Sequence, residues 1–421
     1  MSNLHHGIYQ SYLQLMHRFC QYPQLLKLLD AEKFSPRVRV LAIGKAAWKM
    51  ASLCAALLAQ KGFEHDGFVL TKRGHSLGPI PSLKVLEAGH PIPDAFSLAH
   101  SARIVDWLGS IPAREDLVVL LSGGSSALFE LLPENATLQE LSDINSQLLK
   151  SGKSIAEINR KRRELSLLKG GKCLDLVNSK RVHVYAVSDV EGNDPQIIGS
   201  GPFTPEIPAS KTLDGWRYKP PGKELRYHIV ADNRSFCSQL ATDLRQQGCK
   251  VYLEPSFQNS PLPKFAEQLR EILRRADNPR FRLHPPFIQI FGGETPLKVT
   301  GPGTGGRCSH LALSLAATLS RYKNSALFCF ATDGSDNVCG NGGSYSDSGT
   351  RVKLRYAGIE LAKAKRDCDS YTALKAIHHI LPAPLLATNV NDVFILSVGY
   401  DLEKPLSANS RDNFDIFEGI L

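Results

Sequence analysis

The sequence predicts an α/β protein of two domains, the first built on a mostly parallel sheet. Three observations carry that prediction. Short apolar runs alternate with helical patterns, which implies crossover units. The chain has 421 residues, enough for two domains with a sizeable core each. Gly-rich or acidic segments close several predicted strands at their C-terminal ends, where open α/β sheets bind ligands.

Taken in order, the N-terminal stretch places Leu4, Ile8, Leu15 and Phe19 near one face and predicts an amphipathic helix. VRVLAIG (38–44), GFVLT (67–71), DLVVLLSGG (116–124) and RVHVYAVSD (181–189) predict strands, and the helical KAAWKMASLCAALLAQ follows the first. Residues 136–179 are rich in Leu, Lys and Ser and read as helices. Residues 203–224 are rich in Pro, Lys and Gly and show no period, so they predict a linker, with domains over 1–215 and 225–421. Beyond it come strands RYHIVAD and KVYLEP, then a helix with Phe265, Leu269 and Leu273 as its apolar stripe. Strand PFIQIFGGE follows, with LKVT as its expected hairpin partner, and then a glycine loop, a helix and strand ALFCFATDG. TNVNDVFILSVG closes the second sheet.

Composition narrows the function classes. Hydrophobic residues make up 43% and charged residues 22%, which excludes a disordered or collagenous chain. The nine cysteines form no CxxC and no zinc-finger spacing, so reduced thiols and a cytoplasmic location are expected. No leader pattern and no apolar stretch of membrane-spanning length appear, so no membrane partner is expected. The net charge of +9 suits anionic ligands. The basic run Arg160–Arg163 lacks interleaved aromatic residues and reads as a solvated helical face, so no nucleic-acid partner is expected.

Five segments at strand ends could carry chemistry: Gly44-Lys45, the loop Ser122-Gly123-Gly124-Ser125-Ser126, Ser188-Asp189-Val190, Gly292-Gly293-Glu294, and Thr332-Asp333-Gly334. Lys45 directly follows a strand and opens a helix, a placement that suits a cation sharing an anion with the helix terminus. The Ser122–Ser126 loop can cradle an anion with its backbone N–H groups, and it does not match the GxSxG nucleophile elbow. Gly301–Gly306 matches GxGxxG, a dinucleotide fingerprint, but it stands deep in the second half after an expected hairpin strand. Arg307 follows it and suits a carboxylate or phosphate. His90, in GHPIPD, reads as structural, and no histidine shows metal-ligand spacing.

AIGKAA (42–47), EAGHPIPD (87–94), LLSGGSSAL (120–128), INRKRRELSLLKGGK (158–172), SDVEGNDPQIIGSGP (188–202), GGET (292–295), GTGGR (303–307), TDGSD (332–336) and TNVND (388–392) resemble, in this order, the motifs of the glycerate 2-kinase family. The resemblance implies a Rossmann-like N-terminal domain, a second α/β domain of the MOFRL type with a mixed sheet, and an active-site cleft between them. It implies transfer of the ATP γ-phosphoryl to the 2-hydroxyl of D-glycerate with Mg2+. The catalytic positions it gives are Lys45, Asp189, Arg307, Asp333 and Asn389. Ser122, Gly123, Gly124, Ser125, Ser126, Lys169 and Glu294 would hold the nucleotide. Asp189 and Asp333 would divide the metal and the hydroxyl proton between them.

The chain departs from the family at three places. Its GGRNxE is here Arg307 followed by Cys308, Ser309 and His310; its TDGIDGPT-like stretch is TDGSDNVCGN; and its GPTGTNVND carries Leu385-Leu386-Ala387 before TNVND. Two alternatives follow from the sequence: a hydroxypyruvate reductase using GxGxxG, and a nucleotide-binding descendant without turnover.

Overall fold

The computed structural model describes residues 3–134, 136–141, 143, 163–207, 209–212, 215–276, 278, 284–338, 340–383 and 388–401. Of the expected helices over 136–179, residues 142 and 144–162, Arg160–Arg162 among them, fall outside these residues, as do Cys339 and Leu385–Ala387, while Lys172–Asp175 is helical. The chain forms two compact units, each with its own sheet.

The first unit comprises Arg18–Asn233 with Leu385–Val390. Its strands are β1 (Arg37–Ile43), β2 (Glu64–Lys72), β3 (Leu83–Ala88), β4 (Asp116–Leu121), β5 (Arg181–Ser188), β6 (Ser210–Thr212), β7 (Gly215–Tyr218) and β8 (Glu224–Asp232). They lie in the order β3-β2-β1-β4-β5-β8-β7-β6. The six strands from β3 to β8 pair in parallel, as the strand–helix alternation predicts. Every residue of β4 is buried, which suits a central strand of a sheet covered on both faces. Leu41, Ile43, Val119, Leu121 and Val184 build the core with Ile104 and Leu108 from the helix Ala95–Ser110. Asp94 caps that helix, its carboxylate accepting from the Ser97 amide.

The predicted linker is not one. Ser210–Thr212 and Gly215–Tyr218 form edge strands, β6 antiparallel to β7 and β7 antiparallel to β8. Lys is common on exposed edge strands, which resist further pairing that way, so the composition resembles that of a linker. The chain leaves the first unit at Asn233 instead.

The second unit comprises Met1–His17, Arg234–Pro384 and Asn391–Leu421. Its strands β9 (Val251–Leu253), β10 (Phe287–Gly293), β11 (Ser325–Ala331), β12 (Asn341–Asp347), β13 (Ile380–Pro382) and β14 (Asp392–Val398) lie in the order β13-β12-β11-β14-β10-β9. Among these strands β9 and β10 pair in parallel and the others antiparallel, so the sheet is mixed. The stripe Phe265, Leu269 and Leu273 is fully buried in the helix Leu262–Ala276. The N-terminal helix Asn3–Phe19 buries Leu4, Ile8 and Leu15, and Tyr12 stacks on Phe330 of β11 with ring centroids 3.8 Å apart. The segment LKVT is not a hairpin strand: β10 instead pairs with β14 and β9. β12 escaped prediction because its buried residues include Gly342, Gly343, Ser344 and Ser346, which show no apolar alternation.

Candidate active site

The strand order of the first sheet reverses between β1 and β4, and ligands in such sheets bind beyond the strand ends at the reversal. Here that place is built by two loops. Gly44 leaves β1 with φ +126°, and a Cβ there would meet the Ser122 side chain and backbone. The Lys45 amide donates to the Gly123 carbonyl at 2.9 Å, and the Ala46 amide donates to Ser122 Oγ at 3.1 Å. The loop after β1 is thus tied to the loop after β4, with Lys45 half-buried.

Gly123 and Gly124 have no room for a side chain, for two different reasons. A Cβ on Gly124 would lie 3.0 Å from His90 Nε2 and 3.3 Å from Lys45 Cγ. A Cβ on Gly123 would lie 2.5 Å from Asp189 Oδ2 and 2.6 Å from Asn389 Nδ2. Asp189 follows β5, and Asn389 Nδ2 donates to its Oδ2 at 3.1 Å. One glycine pair therefore gathers Lys45, His90, Asp189 and Asn389. A cation, a carboxylate and a carboxamide around bare backbone can receive a phosphate and its counter-cation. His90, read as structural in the sequence, belongs to this group.

The rest of the expected nucleotide-holding set divides. Ser125 Oγ is buried against Gly199, and Ser126 Oγ lies 3.0 Å from Ser200 Oγ. Lys169 departs from its expected role. It is buried and ion-paired with the buried Glu130, which also accepts from Ser166 Oγ. A buried, paired ammonium holds the fold rather than reaching for a ligand.

The remaining candidates lie in the second unit. The register places Gly293, Asp392 and Ala331 side by side at one edge of the sheet. Glu294 and Asp333 follow β10 and β11 there, and Arg307 opens the helix Arg307–Leu319. Arg307 Nε donates to Asp392 Oδ2 at 3.1 Å and Nη2 to Oδ1 at 3.4 Å, while Nη1 bonds Glu294. Burial works against the guanidinium, but Asp392 and then Glu294 outweigh it and raise its pKa. Asp392 is fully buried. Burial pushes its pKa up to about 7 although Arg307 opposes the shift. Asp333 Oδ1 accepts from the Ser335 amide at 3.0 Å.

Two acidic residues here went unnoticed in the sequence. Asp392 is the last residue of TNVND, and Asp336 is the last of TDGSD. Asp336 accepts from the amides of Cys308 at 2.9 Å and Ser309 at 2.8 Å. Its carboxylate thus occupies the N-terminus of the helix that follows GxGxxG, where a dinucleotide pyrophosphate would sit. Gly303 and Gly305 pack against Asp367, Asp369 and Ser370. This GxGxxG is a packing loop. The departures at Cys308, Ser309 and His310 are absorbed in the same way: all three are buried, and Ser309 Oγ accepts from Ser370 Oγ at 3.0 Å.

The expected site residues thus form two groups, one in each unit. Lys45, Gly123, Gly124, Asp189 and Asn389 come together in the first, and Glu294, Arg307 and Asp333 share a sheet edge in the second. The two expected metal ligands, Asp189 and Asp333, belong to different units. Among the described residues no three His, Cys, Asp or Glu side chains gather as a metal site. Nor is any helix among them long and apolar enough to cross a membrane.

Comparison with known proteins agrees with these motifs. Residues 14–216 match the family model described as a domain of unknown function, DUF4147, and residues 287–392 match the MOFRL family. A D-glycerate 2-kinase of Thermotoga maritima is 32% identical over 377 residues, covering 85% of this chain and 90% of that protein. A glycerate 2-kinase of Pyrococcus horikoshii is 31% identical, covering 86% and 87%. The crystal structure of a glycerate kinase from Thermotoga maritima superposes with a TM-score of 0.79 at 29% identity, over 93% of this chain and all of that one. With both family models matched and identity sustained along most of each relative, the chain belongs to the glycerate 2-kinase family.

Proposed function

We propose that this chain transfers the γ-phosphoryl group of ATP to the 2-hydroxyl of D-glycerate. The observation that supports it best is the gathering of Lys45, His90, Asp189 and Asn389 around Gly123 and Gly124, at the reversal of a Rossmann-like sheet. Phosphoryl transfer asks mainly for positioning and charge neutralisation, and this group offers both. Lys45 and the loop amides would take the phosphates. Asp189, with one oxygen turned to Asn389, has the chemistry to hold Mg2+. Mg2+ held by Asp189 would supply positive charge to offset that of the phosphates. Arg307 would take the glycerate carboxylate, and Asp333, at the same sheet edge, would accept the hydroxyl proton.

The assay is direct. The full chain is mixed with ATP, Mg2+ and D-glycerate, and phosphorus NMR separates 2-phosphoglycerate from 3-phosphoglycerate. The 2-isomer with stoichiometric ADP is expected. Folded protein that forms no ADP with any small hydroxy acid overturns the proposal. The reductase alternative predicts NAD(P)H oxidation with hydroxypyruvate, which Asp336 at the helix N-terminus argues against. The reduced, buried cysteines described here fit a cytoplasmic enzyme.

A further inference from the structure

We infer that Glu294 is a displaceable counter-ion that occupies Arg307 until an anionic substrate group takes its place, so that it sets how strongly an anion must bind to be accepted. The inference rests on the proposed role of Arg307 as the substrate clamp. It starts from an imbalance: one guanidinium faces two carboxylates, and they differ in every property that decides which can leave. Asp392 is 2% exposed and holds the Nε and Nη2 side of Arg307 with two hydrogen bonds from within the sheet edge. Glu294 is 46% exposed and meets only Nη1. Its backbone is fixed, since its amide donates to the Gln258 carbonyl at 2.8 Å and the neighbouring Thr295 is buried. Its side chain alone is free to swing into solvent, where a carboxylate is well hydrated. Exposed ion pairs are weak and salt-sensitive, whereas a buried, doubly bonded pair does not open.

Asp392 therefore aims the guanidinium, and Glu294 covers its outer end. A carboxylate or phosphate arriving there meets a site already neutralised. It binds only by exchanging with Glu294, and a weakly bound anion fails to do so. Glu294 in place would also repel any anion that approaches without exchange. The motif position expected to hold nucleotide thus acts in this chain as a competitor for the anion.

Initial-rate kinetics on the full chain test this with Glu294→Gln, which keeps size and hydrogen bonding but removes the charge. The KM for D-glycerate is expected to fall about two- to fivefold, the range of an exposed ion pair, with the effect in KM rather than kcat. Inhibition by inorganic sulfate should strengthen in parallel, and both differences should shrink at high ionic strength. A fall confined to the KM for ATP supports the exchange and identifies the anion as a phosphate. Arg307→Lys and Arg307→Ala separate the two levels. If they raise the anion KM while Glu294→Gln leaves it unchanged or raises it, Glu294 is not a competitor and the inference fails alone. If neither Arg307 variant changes any KM, the clamp role and the inference fall together.

Discussion

Asn389 Nδ2 donates a 3.1 Å hydrogen bond to Asp189 Oδ2, joining residues 200 positions apart in the chain. The bond orients the carboxylate beside Gly123. It also ties two motifs, SDV and TNVND, that have no visible relation in the sequence.

Asn389→Ala should release Asp189 and lower activity about ten- to a hundredfold, as loss of an outer partner does at metal-holding carboxylates. Asp189→Asn should raise the Mg2+ concentration needed for half-maximal rate. Asp333→Asn should instead lower kcat about a hundredfold or more at unchanged Mg2+ requirement. Rates across a Mg2+ titration decide this, and a shift in Mg2+ dependence from Asp333→Asn alone would exchange the two roles.

Lys45→Met should lower kcat/KM by about two to three orders of magnitude, the usual cost of removing one charge-stabilising donor. Its thermal melt should stay close to that of the unaltered protein, because the Lys45 amide bond to the Gly123 carbonyl, which ties the two loops, is kept. A melt lowered as much as the activity would make Lys45 a structural residue.

Gly123→Ala separates space from strain. Gly123 has no positive φ, so alanine costs nothing in backbone conformation, but its Cβ would press on Asp189 and Asn389. Activity should fall at least about tenfold while denaturant stability changes by less than about 1 kcal/mol. The control is Gly109→Ala near the end of the helix Ala95–Ser110, where the nearest atom is the Leu176 carbonyl oxygen at 3.8 Å. There alanine should gain about 0.5–1 kcal/mol.

The buried Asp392 predicts a pH dependence. Its folded pKa is raised to about 7 from 3.8, so between those values the native state holds a proton that the unfolded chain has released. Stability from this group is therefore lost as pH rises from about 4 to about 7 and is level above that. Denaturation of the unaltered protein and Asp392→Asn should show their stability difference falling across that window. A difference that stays level or rises from pH 5 to 7 contradicts the raised pKa.

Much of this arrangement was legible in the sequence because it rests on patterns of short range. Apolar runs such as DLVVLL announce a buried strand, and glycines after them announce loops that must come close to something. What they come close to was not legible. His90 reaches Gly124 from the far end of another loop, and nothing in GHPIPD states that distance. Asp392 and Asp336 sit in plain view within TNVND and TDGSD, yet their roles depend on a strand register and on the start of a distant helix. GxGxxG misled because its glycines serve close packing against Asp367 and Asp369 rather than a ligand.

The division of the chain has a consequence for how the protein is made. Asn389 belongs to the unit whose eight strands are complete by Asp232, but it is synthesised only after residues 234–384. A nascent chain can fold the parallel sheet on the ribosome before the Asn389 bond to Asp189 exists. Chains that stop before Asn389 should therefore fold the first sheet and yet fail in phosphoryl transfer. By the same logic, two fragments divided at Asn233 should each be inactive and should regain turnover only when mixed.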